Sequence, residues 1–256
     1  MGPAPVALGH GRRAPPAPSP VPKAPGLSES LGSPVAGASA PRTVAVFDFD
    51  GTLTRGDTLL PFLRRVRGGL PLAGALLAGC VPFGLARAGS RRDRAKEAVL
   101  ARVLTGEPVE RLASLADAYA ADLVARRLLP STCRRLEWHR DSGHAVVVVS
   151  ASPELYVSAV GRRLGVDAVL GTRLEVGDDG RLTGRLVGPN CRGREKAVRL
   201  QAWLGPGPAQ LWCYGDSAGD TELLALADHP VRVRRRRIPS LPPEPAPSLR
   251  QASDGV

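Results

Sequence analysis

Three short runs of apolar residues stand out along the chain: Val44–Phe47 within residues 43–50, Ala145–Val149, and Gln210–Tyr214. Two of them are almost wholly apolar and rich in valine, a pattern that predicts strands covered on both faces, as in a parallel sheet. Elsewhere apolar positions recur at helical spacing. Residues 57–67, 91–104, 108–128 and 131–141 predict helices. In the third, Leu112, Leu115, Ala116, Tyr119 and Leu123 share one face, and Gly143 stops the fourth. Ser152 reads as an N-cap and Pro153 as the first residue of a helix to Leu164. From Leu170 to Val187 polar and apolar positions alternate around Gly177-Asp178-Asp179-Gly180, which predicts a β-hairpin. Helices are expected over 194–204 and 220–227, and a short last strand over 231–233.

Strands alternating with helices imply an α/β fold, a doubly wound parallel sheet with an inserted α-helical cap domain. The expected organisation is a core of residues 42–56 and 131–234 and a cap over 57–130. A Pro- and Ala-rich tail covers 1–41 and a second tail 235–256, both too poor in core-forming residues to fold. Arg12 and Arg13 are followed by prolines rather than by an apolar run, so the start is not a secretory signal. Within the cap, residues 69–86 are largely apolar but broken by Gly74, Gly79, Pro82 and Gly84. They read as a helical hairpin. Flanking Arg64, Arg65, Arg67 and Arg87 make peripheral membrane contact the alternative.

Charge changes this picture modestly. Lys plus Arg number 35 against 24 Asp plus Glu, a net charge of +11, with a run at Arg234–Arg237. A solvated basic surface accounts for it, or attraction to anionic substrates or acidic lipid. Aromatic residues are too few for base stacking, so nucleic acid is not an expected partner. The four cysteines show no CxxC and the four histidines no ligand spacing. Neither a zinc site nor a disulfide framework follows, and a reducing, cytoplasmic setting fits.

The chemistry sits at the ends of the strands. The first ends in Asp48 and Asp50, followed at once by Gly51. Two acids this close repel unless a cation or a shared proton relieves them. Ser150 follows the second strand and Asp216 the third, both at carboxyl ends, where such sheets bind ligands. Lys196 and Asp220 complete the set. Each alone reads as a cap or a surface group. Together, along one sheet edge, they suit Mg²⁺ and a phosphoryl group.

With Asp48-Phe-Asp50-Gly-Thr52, Ser150, Lys196 and Gly215-Asp216-Ser-Ala-Gly-Asp220, the chain resembles the haloacid dehalogenase superfamily of phosphohydrolases. The likeness runs from residue 43 to 233 and is nearest to the phosphoserine-phosphatase-like branch with a helical cap. The resemblance implies a Mg²⁺-dependent phosphomonoesterase with Asp48 as nucleophile and an aspartyl-phosphate intermediate. Asp48, the carbonyl of Asp50 and Asp216 would hold the metal. Lys196 would neutralise the transferring phosphoryl, and Ser150 with nearby N–H groups such as that of Ala151 would hold its oxygens. Asp50 would act as acid and then base, and Asp220 would orient Lys196 or the metal waters. Asp57, nine positions past the nucleophile, would read a substrate amine, and Arg91, Arg92 or Arg94 a carboxylate. A small phosphorylated substrate is expected, phosphoserine first. A lipid phosphate of the phosphatidylglycerophosphate or lysophosphatidate type is the alternative. Oligomeric state is not legible.

Overall fold

The computed structural model describes residues 42–68 and 89–239, with the side chains of 89–92 left aside. The expected tail 1–41 and the apolar segment 69–86 lie outside the described residues.

Strand β1 (Arg42–Phe47) leads into a helical insert: α1 (Leu59–Arg67), α2 (Gly89–Leu104) and α3 (Val109–Arg126). The chain returns through α4 (Pro130–Asp141), β2 (Ala145–Pro153), α5 (Glu154–Leu164) and β3 (Ala168–Thr172). A two-stranded hairpin follows, β4 (Leu174–Val176) and β5 (Leu182–Leu186). Then come α6 (Arg194–Leu204), β6 (Ala209–Gly215), α7 (Thr221–Ala225) and β7 (His229–Arg232).

The main sheet has the order β3-β2-β1-β6-β7, all parallel. Chain order runs outward from β1 in one direction and then in the other, so the switch point lies at its end. Alternation along β1 splits the core. Ala45 and Phe47 face a layer with Phe62, Leu100, Leu123, Leu136 and Tyr156 from the insert, α4 and α5. Val44 and Val46 face Leu200 of α6 and Leu223 and Leu224 of α7. Both faces are covered, which is why these strands carry no polar alternation.

Several elements differ from expectation. Leu170 belongs to the main sheet rather than the hairpin, because β3 pairs Val169 and Leu170 with Val148 and Val149. Only Leu174–Val176 and Leu182–Leu186 form the hairpin. Strand β2 runs on to Pro153, so Ser152 is strand and not the N-cap of α5. The last strand starts at His229 rather than Val231. Residues 235–239, expected in a tail, join the folded body: Ile238 packs on the core, and Arg135 donates to the Pro239 carbonyl at 2.9 Å. Among the described residues no helix is long and apolar enough to cross a membrane.

Candidate active site

The backbone N–H of Asp48 bonds to the Tyr214 carbonyl at 2.9 Å, fixing the end of β1 against β6. The chain then curls around the Phe49 carbonyl, which accepts from the N–H groups of Thr52, Leu53 and Thr54. Gly51 makes the turn at φ +85°, and a Cβ there would lie 2.2 Å from Asp216 Oδ2. Only glycine fits, which brings the Asp48-Asp50 loop against the end of β6.

Lys196, in the first turn of α6, is buried and donates to Asp48 Oδ1 and, at 2.6 Å, to Asp220 Oδ1. The second oxygen of Asp220 accepts from the N–H and hydroxyl of Ser217 at 3.0 and 2.8 Å. The Asp220 carboxylate is thus fully engaged inside the protein. The Asp216 carboxylate takes no hydrogen bond from any other described residue. One oxygen from each of Asp48, Asp216 and Asp220 lies within 4.8 Å of the others. This is a hard oxygen donor set, and it suits Mg²⁺ rather than a softer metal. The loop also brings Asp50 beside this cluster, but the Asp50 side chain is committed elsewhere.

Asp50 Oδ1 accepts from the N–H and hydroxyl of Thr58 at 2.8 and 2.7 Å. Its Oδ2 accepts from the Ser152 hydroxyl at 2.5 Å. Behind Thr58 stand two buried phenols: Tyr156 at 3.0 Å from its hydroxyl, and Tyr119 donating to its carbonyl at 2.8 Å. Asp50 is therefore held by both oxygens on a rigid support.

Burial dominates the electrostatics. It pushes Asp48 up to about 7 against the pull of Lys196, with Asp220 and Asp50 adding repulsion. Burial also raises Asp50, outweighing the bonds from Ser152 and Thr58. Asp216 is raised by burial and by the Asp220 charge. Burial opposes the charge on Asp220 too, but Lys196 overcomes it and holds that carboxyl below its ordinary range. Burial likewise works against Lys196, and the Asp48 and Asp220 charges more than reverse it, raising its pKa. One cation bonds two acids, and the third, Asp216, has no ion pair among the described residues, a balance that a divalent ion completes.

A cavity of about 280 Å³ opens over these groups, lined by Asp48, Asp50, Asp216 and Lys196 together with Asp57, Asp93 and Lys96. Ala151 and Ser152 also line it. Ser150 is fully buried beside them, its Oγ accepting the Ser152 N–H at 3.0 Å. Asp57 is exposed at the rim and caps the Leu60 N–H at 3.2 Å. Arg94 is exposed and does not line the cavity, whereas Arg192 does.

Thr58, Ser152, Lys96 and Asn190 were missed by sequence reasoning. Lys96 left a trace: it shares the 96, 100, 103 stripe of α2 with buried Leu100 and Val103, an odd place for a lysine. Thr58 and Ser152 left none, since either reads as an ordinary cap.

A family model for haloacid dehalogenase-like hydrolases matches residues 45–225. Protein CicA of Caulobacter vibrioides is 39% identical over 191 residues, covering 72% of this chain and 83% of that protein. Phosphoserine phosphatase SerB1 of Mycobacterium tuberculosis is 28% identical over 247 residues, covering 90% and 80%. Among solved structures, a Bordetella pertussis Tohama I protein of unknown function superposes with a TM-score of 0.61 at 24% identity, over 73% of this chain and 87% of its own.

Proposed function

The chain belongs to the haloacid dehalogenase-like hydrolases, and on that premise we propose that it is a Mg²⁺-dependent phosphomonoesterase with Asp48 as nucleophile. The observation that carries the reading is Lys196 bridging Asp48 and Asp220, with Asp216 in the same cluster accepting no bond from another described residue. Asp48, the Asp50 carbonyl and Asp216 are the ligands assigned to the metal. When bound, Mg²⁺ supplies the positive field that offsets repulsion between a carboxylate and a phosphate.

An oxygen of Asp48 attacks phosphorus, and the bond from phosphorus to the leaving oxygen breaks. Asp50 gives its proton to that oxygen, so an alcohol departs. Asp50 then takes a proton from the water that attacks the aspartyl phosphate, and the bond between Asp48 and phosphorus breaks to release inorganic phosphate. Lys196 pulls Asp48 towards the anion that attacks, against burial, and faces the charge of the phosphoryl in flight. Burial favours a protonated Asp50, the form that the first step needs. The phosphate oxygens are held in this reading by the loop after β2, from the Ala151 side that lines the cavity, while Ser150, fully buried, supports the loop by accepting the Ser152 N–H.

The size of the cavity favours a small substrate. Asp57, Asp93 and Arg192 line the cavity, and acids and a cation in one lining suit a zwitterionic leaving group such as serine. The similarity to SerB1 supports phosphoserine. The test is phosphate release with Mg²⁺ from a panel of phosphoserine, sugar phosphates, nucleotides and lysophosphatidate. Preference for phosphoserine supports the assignment. A flat profile removes the substrate, and no release from any ester removes the activity.

A further inference from the structure

Lys96 projects from α2 into the boundary between the helical insert and the sheet, and it is 8% exposed. Its ammonium donates to the Ala151 carbonyl and, at 2.6 Å, to Asn190 Oδ1. Both acceptors are neutral oxygens; Asp50 and Asp93, which line the same cavity, pull on the ammonium without an ion-pair contact among the described residues. Burying a cation against neutral acceptors is an expensive way to join two layers, and an apolar side chain would pack there at less cost. The surroundings are built for it. Asn190 is aimed by its own bond to Asp93 at 2.7 Å, and the Thr172 hydroxyl sits 2.6 Å from the Ala151 carbonyl.

The Ala151 carbonyl belongs to the same peptide as the Ser152 N–H, which donates to Ser150 Oγ at 3.0 Å. Lys96 therefore grips one side of a peptide plane whose other side is already tied down. From that plane the Ser152 hydroxyl reaches Asp50 Oδ2 at 2.5 Å. The path from Lys96 to Asp50 contains one peptide and one hydroxyl.

We propose that Lys96 is a positioning residue for Asp50, acting through the Ala151–Ser152 peptide and the Ser152 hydroxyl. The proposal rests on the reading of Asp50 as proton donor to the leaving group. Because Lys96 comes from the insert, docking of α2 on the sheet steadies the Ser152 side of the acid, while Thr58 holds the other oxygen. Burial lowers the Lys96 ammonium to about 8, so at neutral pH it carries its charge.

Substituted phenyl phosphates test this, because they differ in their need for an acid and hardly in shape. Phenoxide leaves with a pKa of about 10, like tyrosine, and needs the proton, whereas the more acidic p-nitrophenol does not. Lys96→Met is expected to lower kcat/KM for phenyl phosphate about tenfold or more, a part of the roughly 10²–10⁴ that a positioned acid supplies. The p-nitrophenyl ester should change far less. Lys96→Arg should recover most of the loss. Ser152→Ala should show the same selectivity, and its effect should not add to that of Lys96→Met. Equal losses on both esters, or full additivity with Ser152→Ala, overturn the proposal. Asp50→Asn is the reference, read as single-turnover release of the phenol, because the same change also removes the base that hydrolyses the aspartyl phosphate. If it fails to spare the nitrophenyl ester, the acid reading of Asp50 falls and this inference with it. If it spares that ester while Lys96→Met does not, only the role of Lys96 falls. Melting curves establish folding, and Lys96→Gln, which keeps an N–H donor without charge, is measured in the same way should the Met variant not fold.

Discussion

Lys196 donates to Asp220 across 2.6 Å, joining the first turn of α6 to the turn after β6 behind the nucleophile. The same ammonium bonds Asp48, so one buried cation holds two buried carboxylates. Its removal leaves both acids unpaired. Lys196→Met should destabilise the fold by about 3–5 kcal/mol, the range for breaking a buried pair from one side. Catalysis should fall by about 10²-fold or more, as for loss of an electrostatic stabiliser. Urea unfolding and steady-state kinetics measure the two separately.

Asp48→Asn should behave in the opposite way. Burial already presses Asp48 towards its neutral form, up to about 7, so a neutral isostere is well tolerated by the fold. The melting temperature should stay level or rise, while turnover and labelling of the protein by radioactive phosphoryl donor vanish. Labelled protein from the Asn variant would place the nucleophile elsewhere.

Magnesium should stabilise the protein independently of turnover. A ligand that binds only the native state raises stability by RT ln(1 + [L]/Kd), about 2.7 kcal/mol at a hundredfold excess over Kd. A Mg²⁺ titration followed by melting temperature should rise and saturate in the native sequence. Asp216→Asn should flatten it, because Asp216 is the carboxylate of the cluster that accepts no bond from another described residue.

Gly51→Ala would force a methyl group to within 2.2 Å of Asp216 Oδ2, at a backbone φ of +85°. Left-handed strain on a non-glycine residue costs about 1–3 kcal/mol. The displaced Asp216 adds a second effect, a higher Mg²⁺ concentration for half-maximal stabilisation. A variant with unchanged Mg²⁺ response would mean that the loop moves aside without disturbing the metal ligands.

Acid should unfold the protein through His139. This side chain is fully buried, with Nε2 2.8 Å from the Tyr214 hydroxyl and Nδ1 2.8 Å from His144 Nδ1. Burial, then the His144 and Arg135 charges, lower its pKa to about 3. The unfolded chain takes up the proton near 6.5 and the folded chain does not, so the unfolded state binds more protons between those values. The stabilising contribution is complete above about 6.5 and is lost as pH falls towards 3, at up to about 1.4 kcal/mol per pH unit. His139→Gln should flatten stability against pH across that window, as read by denaturant midpoints.

The three central strands and the acids at their ends were legible because each combines a β-branched or apolar run with a charged stop. Ala145–Val149 and Asp48 needed no tertiary information. The edge strand β3 was absorbed into a hairpin, because Ala168–Thr172 is partly exposed and its alternation matched that of Leu174 onward. Ser152 was misread because a serine before Pro-Glu caps helices far more often than it orients a carboxylate. Its true partner, Asp50, is 102 residues away, and no local pattern encodes such a contact. The contacts of Lys96, at 55 and 94 residues, were invisible for the same reason.

Asp48, Ser152, Lys196 and Asp220 come from four separate stretches, and β1 finds its partner β6 only after more than half of the described chain has been laid down. Parallel pairings between such distant segments form late, since loop closure precedes any reward from contact. No fragment ending before Gly215 contains the phosphatase centre. Recovery of activity during refolding should thus coincide with the slowest structural phase, and a ribosome-bound chain would stay inert until Asp220 had emerged.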